Sequence, residues 1–168
     1  GVVHRDLKSA NVMLVPAEGG GERAVVTDFG LATGPAAGSG PKLTDVVEIV
    51  GTPDYMAPEQ VEGGEIGPAT DVYALGLVAY EMLSGRLPFD GATPMSRAAA
   101  RLGVDPRPLP ADGPDGVPPA FRSAVARALA REPERRFASA SDLVRALGEA
   151  SGVDSATRLL ERPPARRS

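Results

Sequence analysis

No cysteine occurs in this 168-residue chain. That excludes a disulfide framework, thiol catalysis and a thiolate metal site, and it suits a reducing compartment. Aromatic residues are only 4%, while Ala, Gly, Pro and Arg are heavily used, a bias of coding usage more than of fold. Lysine is nearly missing: Lys8 and Lys42 stand alone. The longest apolar run, Ala74 to Leu83, contains Glu81 and is too short to span a bilayer. No basic-then-apolar leader is visible, and the expected location is cytoplasmic, with a membrane anchor outside this segment as the alternative for a longer parent protein. No dense basic stretch precedes the tail and the formal net charge is −4, so no nucleic-acid partner is expected.

The remaining composition, 42% hydrophobic and 24% charged, is that of a soluble domain with a sizeable core. Val12 to Val15 and Ala24 to Thr27 read as two strands of a hairpin around a glycine-rich turn. Thr33 to Leu43 has no apolar period and reads as a loop. Thr70 to Ser84 is the clearest helix, with Thr70 as its N-cap and Gly85 as its stop. Its apolar residues cover most of the circumference, which places it in the middle of a core. Thr93 to Leu102 is weaker. Asp105 to Pro119 is proline-rich and reads as a surface loop. Ala120 to Ala130 repeats apolar residues at helical spacing. Ser139 to Asp142 resembles a capping box opening a last helix, with Gly148 beginning its exit. Residues 1–150 read as one domain and 151–168 as a basic tail or linker.

Three short motifs carry the chemistry: His4-Arg5-Asp6-Leu7-Lys8-Ser9-Ala10-Asn11, then Asp28-Phe29-Gly30, then Ala57-Pro58-Glu59. The last two are weak alone. In this order, with room between them for a hairpin and a long loop, the three resemble the second half of the eukaryotic-like (Hanks-type) serine/threonine protein kinase signature. Gly51-Thr52-Pro53-Asp54-Tyr55-Met56-Ala57-Pro58-Glu59-Gln60 is similar to the substrate-facing loop of that family running into Ala-Pro-Glu, and Asp71-Val72-Tyr73-Ala74-Leu75-Gly76 to the start of its central helix. The Glu132-to-Phe137 segment and the form of the central helix are most similar to bacterial members.

The resemblance implies a mainly α fold with a short β-hairpin, the C-terminal lobe (α+β) of the protein-kinase-like fold. It implies a partner as well, the N-terminal lobe, whose glycine-rich loop, strand lysine and helix glutamate have no counterpart here. It implies transfer of the ATP γ-phosphate to Ser or Thr hydroxyls of protein substrates with Mg²⁺, or Mn²⁺ in its place. Asp6 would be the base and Lys8 a phosphate contact that also meets Thr52. Asn11 and Asp28 would be the metal ligands, hard oxygens of the kind Mg²⁺ prefers. Met13, Val78 and Met82 match positions beneath the adenine; they also read simply as core residues, and the two roles are compatible.

By the same resemblance His4 is a packing residue. Phe29 packs inward and holds Asp28, and Gly30 lets that turn swing. Asp71 holds the backbone of the His4–Asp6 turn, and Arg136 pairs with Glu59. Arg5 implies control by an anion on the loop between Asp28 and Thr52. Thr44 is the first candidate phosphosite, with Thr33 and Ser39 behind it. Glu48 is either a built-in charge for Arg5 or a solvated carboxylate. Two readings of the chain stand: a kinase separated here from its upstream lobe and inactive alone, or a non-catalytic remnant acting as a binding or scaffold module.

Overall fold

The computed structural model describes residues 2–18, 20–29, 52–111 and 116–150. Gly30, Thr33, Ser39, Thr44, Glu48 and the tail 151–168 lie outside them. The described chain is mostly helical with one two-stranded antiparallel sheet. Strand β1 (Val12–Pro16) pairs with β2 (Glu22–Val26) from Val12 opposite Val26 to Pro16 opposite Glu22. The second strand thus starts and ends earlier than the apolar run suggests. The turn Ala17–Gly21 closes by paired backbone bonds, and its Gly20 (φ 94°) and Gly21 (φ 83°) set where pairing begins.

Five helices follow: α1 (Pro58–Glu62), α2 (Pro68–Ser84), α3 (Pro94–Ala100), α4 (Pro119–Ala128) and α5 (Ala140–Ala150). The first four open on proline, whose fixed φ suits the first helical position and whose missing N–H costs nothing there. Thr70 is therefore not the N-cap of α2. Gly67 is, and the Thr70 hydroxyl stands at the third helical position, accepting from the Gly67 N–H at 3.2 Å. Gly85 ends α2 in the left-handed conformation (φ 70°), its N–H on the Glu81 carbonyl at 2.8 Å. Ser139 does cap α5, accepting from the Asp142 amide at 3.1 Å. Gly148 lies inside α5 rather than at its exit. The short α1 has too few residues to show an apolar period.

The core is built around α2. Tyr73, Leu77 and Tyr80 pack toward Phe89, Val125 and Leu129, while Val72 packs toward Ala128, Phe137 and Leu143. At Gly76 the backbone of α2 lies close against the end of α4. A Cβ there would stand 2.9 Å from the Ala128 Cβ and 3.2 Å from Leu129. No helix among the described residues is long and apolar enough to cross a membrane.

One buried ion pair ties the ends of this core together. Arg136, 2% exposed, donates from both terminal nitrogens to the two carboxylate oxygens of Glu59 at 2.8 Å each. It also donates to the carbonyls of Ala69, Ala130 and Arg131, and its guanidinium lies 4.8 Å over the Tyr73 ring. The Thr70 hydroxyl gives Glu59 a further bond at 2.8 Å. Burial alone pushes the Glu59 carboxyl up, but the Arg136 fork and the Thr70 hydroxyl outweigh it and hold the group below its ordinary value.

Two outcomes are expected in denaturant unfolding. Gly76→Val lowers stability by about 1–3 kcal/mol, because α4 cannot yield at a contact this close. Arg136→Met costs about 3–5 kcal/mol at neutral pH, since it leaves Glu59 buried and unpaired. A carboxyl with a lowered folded pKa contributes stability above its unfolded value and loses it as pH falls through the folded one. In Arg136→Met that carboxyl instead gains from protonation. The gap between the two proteins should therefore narrow on acidification from pH 7 to below 4.5, and a gap independent of pH would count against the ion pair.

Candidate functional site

The site begins with a strained turn held by one side chain of α2. Asp71, in the first turn of α2, accepts the His4 N–H on Oδ2 at 2.7 Å and the Arg5 N–H on Oδ1 at 3.0 Å. Arg5 has φ 69°, and the other non-glycine residue of positive φ among those described is Asp28, at 60°. Each such conformation costs on the order of 1–3 kcal/mol and persists only where its surroundings impose it. Asp71 imposes the first, helped by Gln60, whose amide donates to the Arg5 carbonyl at 2.9 Å. The Arg5 guanidinium has no hydrogen-bond partner among the described residues, and Arg5 is exposed.

His4 is 3% exposed. Its Nε2–H donates to the Thr27 carbonyl at 2.8 Å, its Nδ1 is buried without a partner, and its ring lies 4.7 Å from that of Phe29. Phe29 does not pack inward as expected. It is 57% exposed, because His4 covers one face and a two-stranded hairpin supplies no second layer.

Asp6, Lys8 and Thr52 meet at the mouth of the site. Lys8 Nζ donates to Asp6 Oδ2 at 2.7 Å and to Thr52 Oγ1 at 2.9 Å. The Thr52 N–H donates to Asp6 Oδ1 at 3.3 Å. Residues 44 positions apart are thus joined through one ammonium. Asp6 and Lys8 are each about one-fifth exposed, open enough to meet a substrate and covered enough to keep their geometry.

Asn11 is buried, its Nδ2–H on the Asp6 carbonyl at 2.9 Å. That bond turns the side-chain oxygen the other way, and Oδ1 has no protein partner among the described residues. The Asn11 carbonyl accepts the Thr27 N–H at 2.9 Å, so the base of the hairpin ties Asn11 to the residue before Asp28. Asp28 is exposed. One free amide oxygen and one free carboxylate, with no cluster of three acidic or imidazole ligands among the described residues, fit a hard cation that draws its other ligands from phosphate and water.

Met13 (53% exposed), Leu14 (65%) and Met82 (79%) are exposed apolar residues, Met13 and Leu14 on opposite faces of β1 and Met82 near the end of α2. Val78 is core, at 4%. The core reading therefore holds for Val78 and is excluded for Met13 and Met82.

Several contacts that act here join residues whose partners no motif announces. Gln60 supports Arg5. Tyr55 donates to Glu81 Oε2 at 2.5 Å and shares a 2.8 Å hydrogen bond with Ser9. Burial, and then Glu81, push the Tyr55 phenol up, so it stays a donor. Asp54 is gripped by Arg97 at 2.6 and 2.8 Å. These partners lie tens of residues apart, and no local pattern records them.

The chain matches the protein kinase domain model over residues 1–146. It is 44% identical over 164 residues to a serine/threonine-protein kinase, drp72, of Corynebacterium efficiens, covering 98% of this chain and 28% of that protein. To the serine/threonine-protein kinase pkn3 of Myxococcus xanthus it is 35% identical, over 99% of this chain and 30% of that one. To the serine/threonine-protein kinase PknB of Mycobacterium tuberculosis it is 37% identical, over 85% and 22%. The chain thus spans less than a third of each of these relatives. With its site built on the Asp6 loop, the base of the hairpin and the first turn of α2, the chain belongs to the protein kinase domain family, in its bacterial Hanks-type serine/threonine branch.

Proposed function

We propose that this chain is the C-terminal lobe of a serine/threonine protein kinase that transfers the γ-phosphoryl group of ATP to Ser or Thr hydroxyls of protein substrates. The observation that carries the reading is the Lys8 ammonium held between Asp6 and Thr52, beside an unengaged Asn11 oxygen. A base, a cation and a hard oxygen ligand within one loop are what phosphoryl transfer asks of a protein.

In this reading the substrate hydroxyl lies against the free face of the Asp6 carboxylate. As its oxygen bonds to the γ-phosphorus, the bond to the β-phosphate oxygen breaks, ADP leaves and Asp6 takes the hydroxyl proton. Lys8 orients Asp6 and compensates charge on the transferring group. Asn11 Oδ1 and the Asp28 carboxylate would hold Mg²⁺, or Mn²⁺, which when bound neutralises and orients the phosphates. Met13 and Met82, both exposed, offer apolar contact for the base of the nucleotide. The same exposed side chains, with Phe29, support an upper lobe as the partner that covers this edge.

Arg5 is the receptor for a regulatory anion. Its backbone is committed to Asp71 and Gln60 while its guanidinium is free to fork onto a phosphate. Phosphorylated Thr44 is the anion this reading favours, with the Glu48 carboxylate as a weaker built-in substitute.

The test uses the full-length gene product. Asp6→Asn should lower phosphotransfer by about 10²–10⁴-fold with ATP affinity nearly unchanged, and Lys8→Met by about 10²–10³-fold. A wild-type protein that binds neither ATP nor Mg²⁺ would instead make the chain a non-catalytic scaffold. Arg5→Gln keeps both backbone anchors, so the unfolding midpoint should not move. Its basal phosphotransfer should persist, and the rise that follows phosphorylation of the 30–51 segment should disappear.

A further inference from the structure

Arg101 follows the last residue of α3 and is 2% exposed, yet its guanidinium meets no carboxylate. Nη1 donates to the carbonyls of Pro53 at 2.8 Å and Met56 at 2.6 Å, and Nη2 donates to the carbonyl of Asp54. The Phe89 ring lies 5.4 Å from its Cζ, and the buried Nε has no partner. The Asp54 carboxylate is already matched by Arg97, one turn earlier on α3, which also donates to the Gly91 carbonyl at 3.0 Å.

For stability alone this is a poor arrangement. A buried guanidinium with no carboxylate bonded to it and one orphaned donor offsets its desolvation only through the carbonyls it holds. What the fork secures is backbone. Its three acceptors are the carbonyls of a single turn, 53–56, and Thr52 enters that turn with its N–H on Asp6 and its hydroxyl on Lys8. The opposite flank of the turn is held by Tyr55, between Ser9 and Glu81. The turn is thus clamped from both sides, and its leading residue touches the proposed base.

We infer that Arg101 is a positioning residue for phosphoryl transfer: by pinning the 53–56 turn to α3 it sets where Thr52 meets Asp6 and Lys8, and so where the substrate hydroxyl rests. The inference builds on the kinase reading above. Lysine cannot replace it, because one ammonium on a flexible stem cannot reach three carbonyls that a planar fork spans.

The test measures Arg101→Met and Arg101→Lys in the full-length kinase beside Asp6→Asn. For Arg101→Met, kcat/KM toward the protein substrate should fall on the order of 10²-fold, the effect of displacing a reacting group by about 1 Å. KM for ATP should hold, and the Tyr55 and Met56 amides should exchange hydrogen faster. Arg101→Lys should show the same pattern in smaller measure, and it carries the test if the methionine variant fails to fold. An active wild type matched by both variants overturns the inference alone. So does an equal loss toward ATP and protein substrate, which would mark general destabilisation. A wild type with no phosphotransfer for Asp6→Asn to remove overturns the kinase reading, and this inference with it.

Discussion

The Asp71 carboxylate, accepting two successive amides from His4 and Arg5, is the interaction on which the site depends. It sits in the first turn of α2, where the helix dipole favours negative charge and where most neighbouring residues are buried. Two charge-assisted hydrogen bonds from that place contribute about 1.5–3 kcal/mol each, enough to offset the left-handed backbone of Arg5. Everything downstream inherits the direction of that turn. Asp6 emerges from it toward Lys8 and Thr52, and Asn11 closes beneath it on the Asp6 carbonyl. A chain that lost Asp71 would keep its helices and lose the aim of its loop.

The charged groups of this protein divide by what surrounds them. Glu59 and Arg136 are buried, bidentate and fully engaged, so they serve the core. Asp6 and Lys8 are bonded to each other and remain partly open to solvent. Asp28 and Arg5 are exposed, and neither side chain has a hydrogen-bond partner among the described residues. Arg101 is the intermediate case, a buried cation whose partners are carbonyls of a turn.

Much of this was legible before the coordinates. The hairpin, the central helix and its glycine stop, the amphipathic α4 and the capped α5 follow from local rules of period and capping. The motif residues Asp6, Asn11, Asp28 and Asp71 could be singled out by type and order. The misses have physical causes. Thr70 read as a cap because it is a good one, but Pro68 starts the helix earlier and moves Thr70 inside. Gly148 read as an exit, but its helix runs on to Ala150. Phe29 read as buried because phenylalanine usually is, and here the hairpin lacks a layer to bury it.

Residue order alone determined the family, the chemistry available to the Asp6–Asn11 loop and the existence of a helix apolar on nearly every side. Those properties depend on neighbours within a few positions, or on side-chain type. Only the tertiary structure decided which distant groups meet: Lys8 with Thr52, Ser9 with Tyr55, Gln60 with the Arg5 carbonyl and Arg101 with the 53–56 turn. Hydrogen bonds of a few ångströms between residues 44 to 55 positions apart leave no period or spacing in a single sequence. Gln60 is brought to the loop by α1 and Arg101 by the end of α3, and where those helices lie follows from packing of the whole chain.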